Sequence, residues 1–127
     1  MTDPPPVRRV TRDVEPIAVR DLLDRPPRAT VAFVDASNAA VLPARARLDG
    51  DHRLFAVAAD APPDLDRREI VLVIDDGPYW FQLRGVSVRG IATRVDPPAG
   101  ATAADLTWYA IDARRVLAWD YGALREE

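Results

Sequence analysis

Apolar and polar residues alternate with a period of two along most of this chain, which predicts a mainly β protein. Residues 29–35 alternate on Val31 and Phe33, and 35–38 supply turn chemistry. Residues 41–48 place Ala44, Ala46 and Leu48 on one face and Arg45 and Arg47 on the other. Residues 49–51 read as a second hairpin turn, with 53–58 as the return strand. Residues 70–74 are continuously apolar and mostly β-branched, the pattern of a strand buried on both faces. The long arm 79–95 is the most specific element. Tyr79, Phe81 and Leu83 share one parity, Val86 and Val88 take the other, and Ile91 and Val95 return to the first. A one-residue shift flips every side chain, so Gly85 and Gly90 are expected to kink or bulge the strand, as where a sheet turns a barrel corner. A last strand spans 114–121.

Two short helices complete the prediction. Pro16 opens the first, with Ile17, Ala18, Val19, Leu22 and Leu23 on one stripe, and Pro26-Pro27 ends it. Thr102 and Asp105 have capping-box-like spacing for the second, carrying Leu106 and Tyr109. The expected architecture is a closed or half-closed barrel of six mostly antiparallel strands. Residues 1–13, rich in proline and charge, read as a flexible N-terminal arm, and 14–127 as the single folded domain.

Composition narrows the chemistry. The 127 residues include no cysteine and one histidine, His52, so disulfides and thiolate catalysis are excluded and a His/Cys metal site is not expected; a carboxylate-only Mg²⁺ or Ca²⁺ site stays open, without EF-hand spacing. All 17 basic residues are arginine, so Schiff-base chemistry is absent and an anion must be held by arginine or backbone amides. The net charge of −3 argues against a nucleic-acid partner, including the oligonucleotide-binding type of small barrel. No apolar run nears the ~20 residues of a membrane span, and a cytoplasmic protein with no membrane partner is expected.

The candidate residues follow from the strand faces. Arg45 and Arg47 form either a fork for phosphate or carboxylate or a solvated sheet face. Arg67 and Arg68, close to Asp64 and Asp66, read as an ion-pair cluster. Trp80 shares its face with Gln82 and Arg84, an aromatic-plus-polar pairing suited to a ligand or an interface. Trp108 and Trp119 read as core or dimer interface. His52 at a turn tip is poorly placed as a base, and Ser37 and Ser87 lack a histidine partner, so no catalytic residue is assigned.

Three strings in this order and spacing carry a resemblance: 28–35 (RATVAFVD), 83–92 (LRGVSVRGIA) and 114–122 (RRVLAWDYG). Over residues 16–122 the chain resembles the pyridoxamine 5'-phosphate oxidase-like family of flavin-binding split barrels. The resemblance implies a six-stranded split β-barrel acting as a homodimer. FMN or the deazaflavin F420 would lie in the groove between subunits, with heme ranking behind them. It implies phosphate contacts from Arg45, Arg47 and Arg68, with the partner subunit's Trp80 and neighbouring Arg84 bordering the ring. A small oxidoreductase of undefined substrate follows. Gly85 stands where the oxidase has a glutamine, so that enzyme's own reaction is not expected, and residues 62–66 replace a lysine-bearing helix. The alternative is a cofactor-free member of the family, a dimeric binding or interaction module.

Overall fold

A computed structural model of the chain describes residues 10–11, 13–14, 21–22, 28–49, 52–60, 63–77, 79, 83–101, 105–120 and 125–126. The strands are β1 (Val10–Thr11), β2 (Asp13–Val14), β3 (Ala29–Asp35), β4 (Asn38–Asp49), β5 (His52–Ala58), β6 (Glu69–Asp76), β7 (Arg84–Val95), β8 (Leu106–Asp120) and β9 (Arg125–Glu126). The sheet runs β8-β5-β4-β3-β6-β7, and β7 pairs with β8 again. Every pairing is antiparallel, so six strands form a closed antiparallel barrel. The short β2 adds to β8, and β1 pairs with β9.

The period-two pattern fills this barrel. Val31 and Phe33 from β3, Phe55 and Val57 from β5, and Ile70, Leu72 and Ile74 from β6 are all buried in one cluster. Val86, Val88 and Ala92 of β7 and Tyr109, Ile111 and Ala118 of β8 complete the wall. Each of the larger aliphatic and aromatic side chains contributes roughly 1.5–3 kcal/mol on burial, the alanines less. Leu65, from the segment before β6, is fully buried in the same cluster, as is Leu22 from the helical turn at Asp21–Leu22.

Strand β3 has the predicted bounds, and β4 is longer than expected at both ends. The β3–β4 turn places Ala36 at φ 48° and Ser37 at φ 70°, the two positive values of a type I′ hairpin turn.

Three expectations are corrected. The inward residues of β7 keep one parity through Val86, Val88, Gly90 and Ala92, while Ile91 and Val95 are half-buried outside. Gly90 does mark a register shift, but the extra residue lies on β8: Arg89 pairs with Arg115 and Gly90 with Ala113. The bulge therefore re-phases β8, and β7 needs no change of face. No register shift occurs at Gly85. Second, Leu106 and Tyr109 belong to the strand Leu106–Asp120 and not to a helix. Six residues from Leu106 to Ile111 pair with Ala58 to Arg53, and the Tyr109 ring stacks on Phe55 with centroids 5.2 Å apart. A helix here would leave the edges of both β5 and β7 unpaired. Third, β6 buries Ile70, Leu72 and Ile74, but Val71 and Val73 are half-buried, because among the described residues no second layer covers the outer face. The first predicted helix lies outside the described residues except for Asp21–Leu22.

Candidate functional site

Inward packing of Ala44 and Ala46 turns Arg45 and Arg47 to the outside of β4. Their cross-strand neighbours on β5 are Ala56 and Leu54. The two arginines share a face but play different parts. The Arg47 Nη2 donates to the Ala99 carbonyl at 2.8 Å and holds the β7–β8 connection against the barrel. Beneath that connection lies a second apolar cluster of Leu54, Ala56 and Trp108, with Val95, Ala101 and Leu106 packed on it. Arg45 is exposed and makes no hydrogen bond or ion pair among the described residues.

A groove of about 290 Å³ runs beside Arg45, lined by Pro43, Ala56, Ala58 and Leu106 among others. Small side chains give it a shallow, flat floor, suited to a planar group. Trp108 pairs directly with Ala56, is 7 % exposed, and keeps its buried indole Nε1 without a hydrogen-bond partner among the described residues. A buried N–H without a partner costs roughly 1–3 kcal/mol, so this donor is an unusual feature. Sequence reasoning missed both features: Ala56 and Ala58 at alternate positions of one strand were the available signal for the floor, and nothing local marks the unpaired indole.

The other predicted site residues lie elsewhere. Arg68 Nη1 is 3.7 Å from an Asp35 carboxylate oxygen. Asp35 ends β3, whereas Ala44, the residue before Arg45, pairs with Ala29 at the start of β3. At ~3.3 Å per residue those points are roughly 20 Å apart. Arg67 lies 3.9 Å from Asp66, the expected local pair. Arg84 opens β7 and is held bidentately by Asp21, its Nη1 donating to Oδ1 at 2.9 Å and its Nη2 to Oδ2, with Asp76 3.6 Å away. The Arg84 hydrogen bond holds the Asp21 carboxyl below the usual range. This pair ties the helical turn that delivers Leu22 to the core. Trp80 lies outside the described residues. The structure thus brings Arg45 and Arg47 together and places Arg68 and Arg84 apart from them.

A further polar cluster centres on Tyr109, whose hydroxyl accepts from the Leu65 backbone N–H at 3.2 Å and donates to Asp64 Oδ1 at 3.0 Å. Burial raises the Tyr109 pKa, and the Asp66 backbone N–H with the Tyr109 hydroxyl lowers that of Asp64. The cluster fixes Leu65 in the core. Among the described residues, no group of three or more acidic or histidine side chains is placed to hold a metal, and no helix is long and apolar enough to cross a membrane.

No family model matches this sequence, and no curated protein matches it. Solved structures do match. An FAD binding protein from Mycobacterium smegmatis superposes with a TM-score of 0.66 at 16% identity, over 87% of this chain and 99% of the other. An FAD and heme binding protein from the same organism gives 0.67 at 14% identity, over 88% and 74%. A candidate pyridoxamine 5'-phosphate oxidase from Corynebacterium glutamicum gives 0.63 at 11% identity, over 87% and 96%. At these identities the likeness establishes the fold, and the closed barrel described above is the split barrel shared by these flavin-binding and oxidase-like structures.

Proposed function

We propose that this protein binds a flavin-type cofactor, FMN, FAD or F420, in the groove beside Arg45, and serves as a small oxidoreductase in the cytoplasm. The carrying observation is an exposed, unpartnered arginine standing over a flat floor of small residues, on a barrel whose structural neighbours include FAD binding proteins. Arg45 would hold the phosphate by charge-assisted hydrogen bonds of roughly 1.5–3 kcal/mol each. Ala56 and Ala58 would let the ring lie against the strand. Arg47 keeps the β7–β8 connection in place over the adjoining apolar cluster. The bound group would supply the electron or hydride chemistry. Heme is the weaker fit, since a chain with one histidine and no cysteine offers few axial ligands.

A homodimer belongs to the same proposal. The outer barrel face carries Val41 at 61% and Leu117 at 43% exposure, with Val73 half-buried between their strands. An apolar face of this kind favours a second copy of the chain, which would deepen a groove shallow in one subunit.

The test is direct. The purified protein is expected to be coloured or to take up FMN, FAD or F420 on titration, and Arg45→Glu to weaken that binding tenfold or more. A colourless protein that takes up none of the three defeats the reading. The second reading, a cofactor-free dimeric module, then stands. It is favoured by residues 63–68, where Leu65 packs into the core in place of a helix carrying a cationic side chain.

A further inference from the structure

A second groove, of about 570 Å³, lies between the β3–β4 turn and the start of β6. Its floor is apolar: Ala32, Val34, Ile70 and Val71 line it, with Arg68 and Arg89 at the rim. The volume falls within the ~300–1,000 Å³ of small-molecule sites.

Its two arginines differ. Arg89 Nε donates to Glu69 at 2.5 Å and is committed. Arg68 makes no side-chain hydrogen bond among the described residues and meets Asp35 only at 3.7 Å, with Arg68 38% and Asp35 52% exposed. An exposed pair of that kind is worth ~0–1 kcal/mol, so its replacement costs little. The Arg68 backbone, by contrast, is fixed. Its N–H donates to Leu65 at 3.0 Å, and its carbonyl accepts from Ala92 at 2.9 Å. The result is a guanidinium on a fixed backbone position whose donors are unspent.

Backbone strain marks the same place. Among the described residues, the non-glycine positions with positive φ are Ala36, Ser37 and Arg67. The first two form the turn at one rim, next to Val34, and the third precedes Arg68 at the other. Such conformations cost of order 1–3 kcal/mol each and gather at ligand clamps and other functional sites. Val34 of the groove lining is 66% exposed, an apolar surface that a ligand would cover.

We propose that this groove binds a small amphipathic monocarboxylate, its apolar body on Val34 and Val71 and its carboxylate on Arg68 in place of Asp35. The charges select a monoanion. Arg68 and Arg89 face Asp35 and Glu69, with Asp64 also within electrostatic reach of Arg68, so a phosphate dianion meets an excess of carboxylates and an uncharged ligand leaves Arg68 unused. The site is distinct from the Arg45 groove and does not depend on the flavin reading; Val41 pairs with Ala32 of its lining, so it borders the face proposed for the second copy and requires that copy to leave Val34 and Arg68 open.

The test uses the full chain, isotope-labelled for NMR, with 2-naphthoate, the uncharged 2-naphthalenemethanol and the dianionic 2-naphthyl phosphate as probes. Naphthoate is expected to shift Ala32, Val34 and Val71 and to bind more tightly than the other two. Arg68→Gln is expected to weaken naphthoate roughly tenfold or more, whereas Arg45→Glu in the other groove is expected to leave naphthoate binding unchanged. Asp35→Asn, which releases Arg68, is expected to tighten it several-fold, a change of opposite sign that a misfolded variant cannot give. The proposal fails if naphthoate does not bind at millimolar concentration, if its shifts map to Pro43, Ala56 and Leu106, or if Arg68→Gln binds it as well as the parent. It fails equally if Arg68→Gln weakens flavin and spares naphthoate.

Discussion

Gly85 and Trp119 face each other across β7 and β8, and the indole occupies the space that a side chain on Gly85 would need. A Cβ added at Gly85 would lie 2.8 Å from the Ile74 carbonyl oxygen and closer still to the Trp119 ring. Gly85→Ala is therefore expected to destabilise by about 1–3 kcal/mol, the usual cost of overpacking. Combined with Trp119→Ala, it should cost less than the two single losses added together, because the two positions share one space. Denaturant midpoints at unchanged slope measure both, and an additive double mutant would refute the coupling. A glutamine at position 85, as in the oxidase, cannot be installed here while Trp119 keeps its place.

Gly90 presents a harder case. Its added Cβ would overlap the Asp112 carbonyl and lie 3.0 Å from the Ala113 Cα, all backbone atoms with no rotamer to turn aside. Gly90→Ala is expected to cost about 3 kcal/mol or more. Hydrogen exchange should show lost protection along β7 and β8 first, and a loss confined to β3 and β4 would contradict the assignment.

Tyr109→Phe keeps the stack on Phe55 but strips a partner from the Leu65 N–H, and is expected to cost about 1–3 kcal/mol. The hydroxyl also sets an alkaline limit. Its folded pKa is raised above the ordinary 10.0 mainly by burial, so the folded state holds a proton that the unfolded state releases. Stability is full below that value and falls as pH rises from it towards the folded pKa. Phenolate absorbance should show one tyrosine titrating late, and Tyr109→Phe should remove that late step.

Asp21 acts at the acid end. Its folded pKa lies below 3.8, chiefly through the Arg84 hydrogen bond, so its contribution is present above that value and is lost as pH falls through the folded pKa. Asp21→Asn and Arg84→Gln should each lower the melting temperature near neutrality and flatten its acid dependence below 3.8. An unchanged acid limb in both would show that the pair does not hold the turn.

Local pattern and distant pairing explain what could be read in advance. Strand β3 was legible to its end residues because Val31 and Phe33 alternate between a proline pair and a turn. The first half of β8 was not, because Leu106 and Tyr109 are three apart after a cap-like Thr102, and the pairing with β5 that overrides this is long-range. The outward face of Arg45 and Arg47 followed from period two alone. Their unequal roles did not, since Arg47 reaches Ala99 across 52 positions, and Arg84 reaches Asp21 across 63. Side-chain contacts over such distances leave no local trace.

The order of pairings around the barrel bears on how the chain acquires it. Four of the six seams, β3–β4, β4–β5, β6–β7 and β7–β8, join strands adjacent in sequence, and two, β3–β6 and β5–β8, do not. The chain is thus two three-stranded meanders that must meet along two seams at once. Loop-closure entropy opposes that meeting until both seams form. The expected rate-limiting event is the docking of preformed meanders, with Leu65 on the linking segment drawn into the shared core as they close.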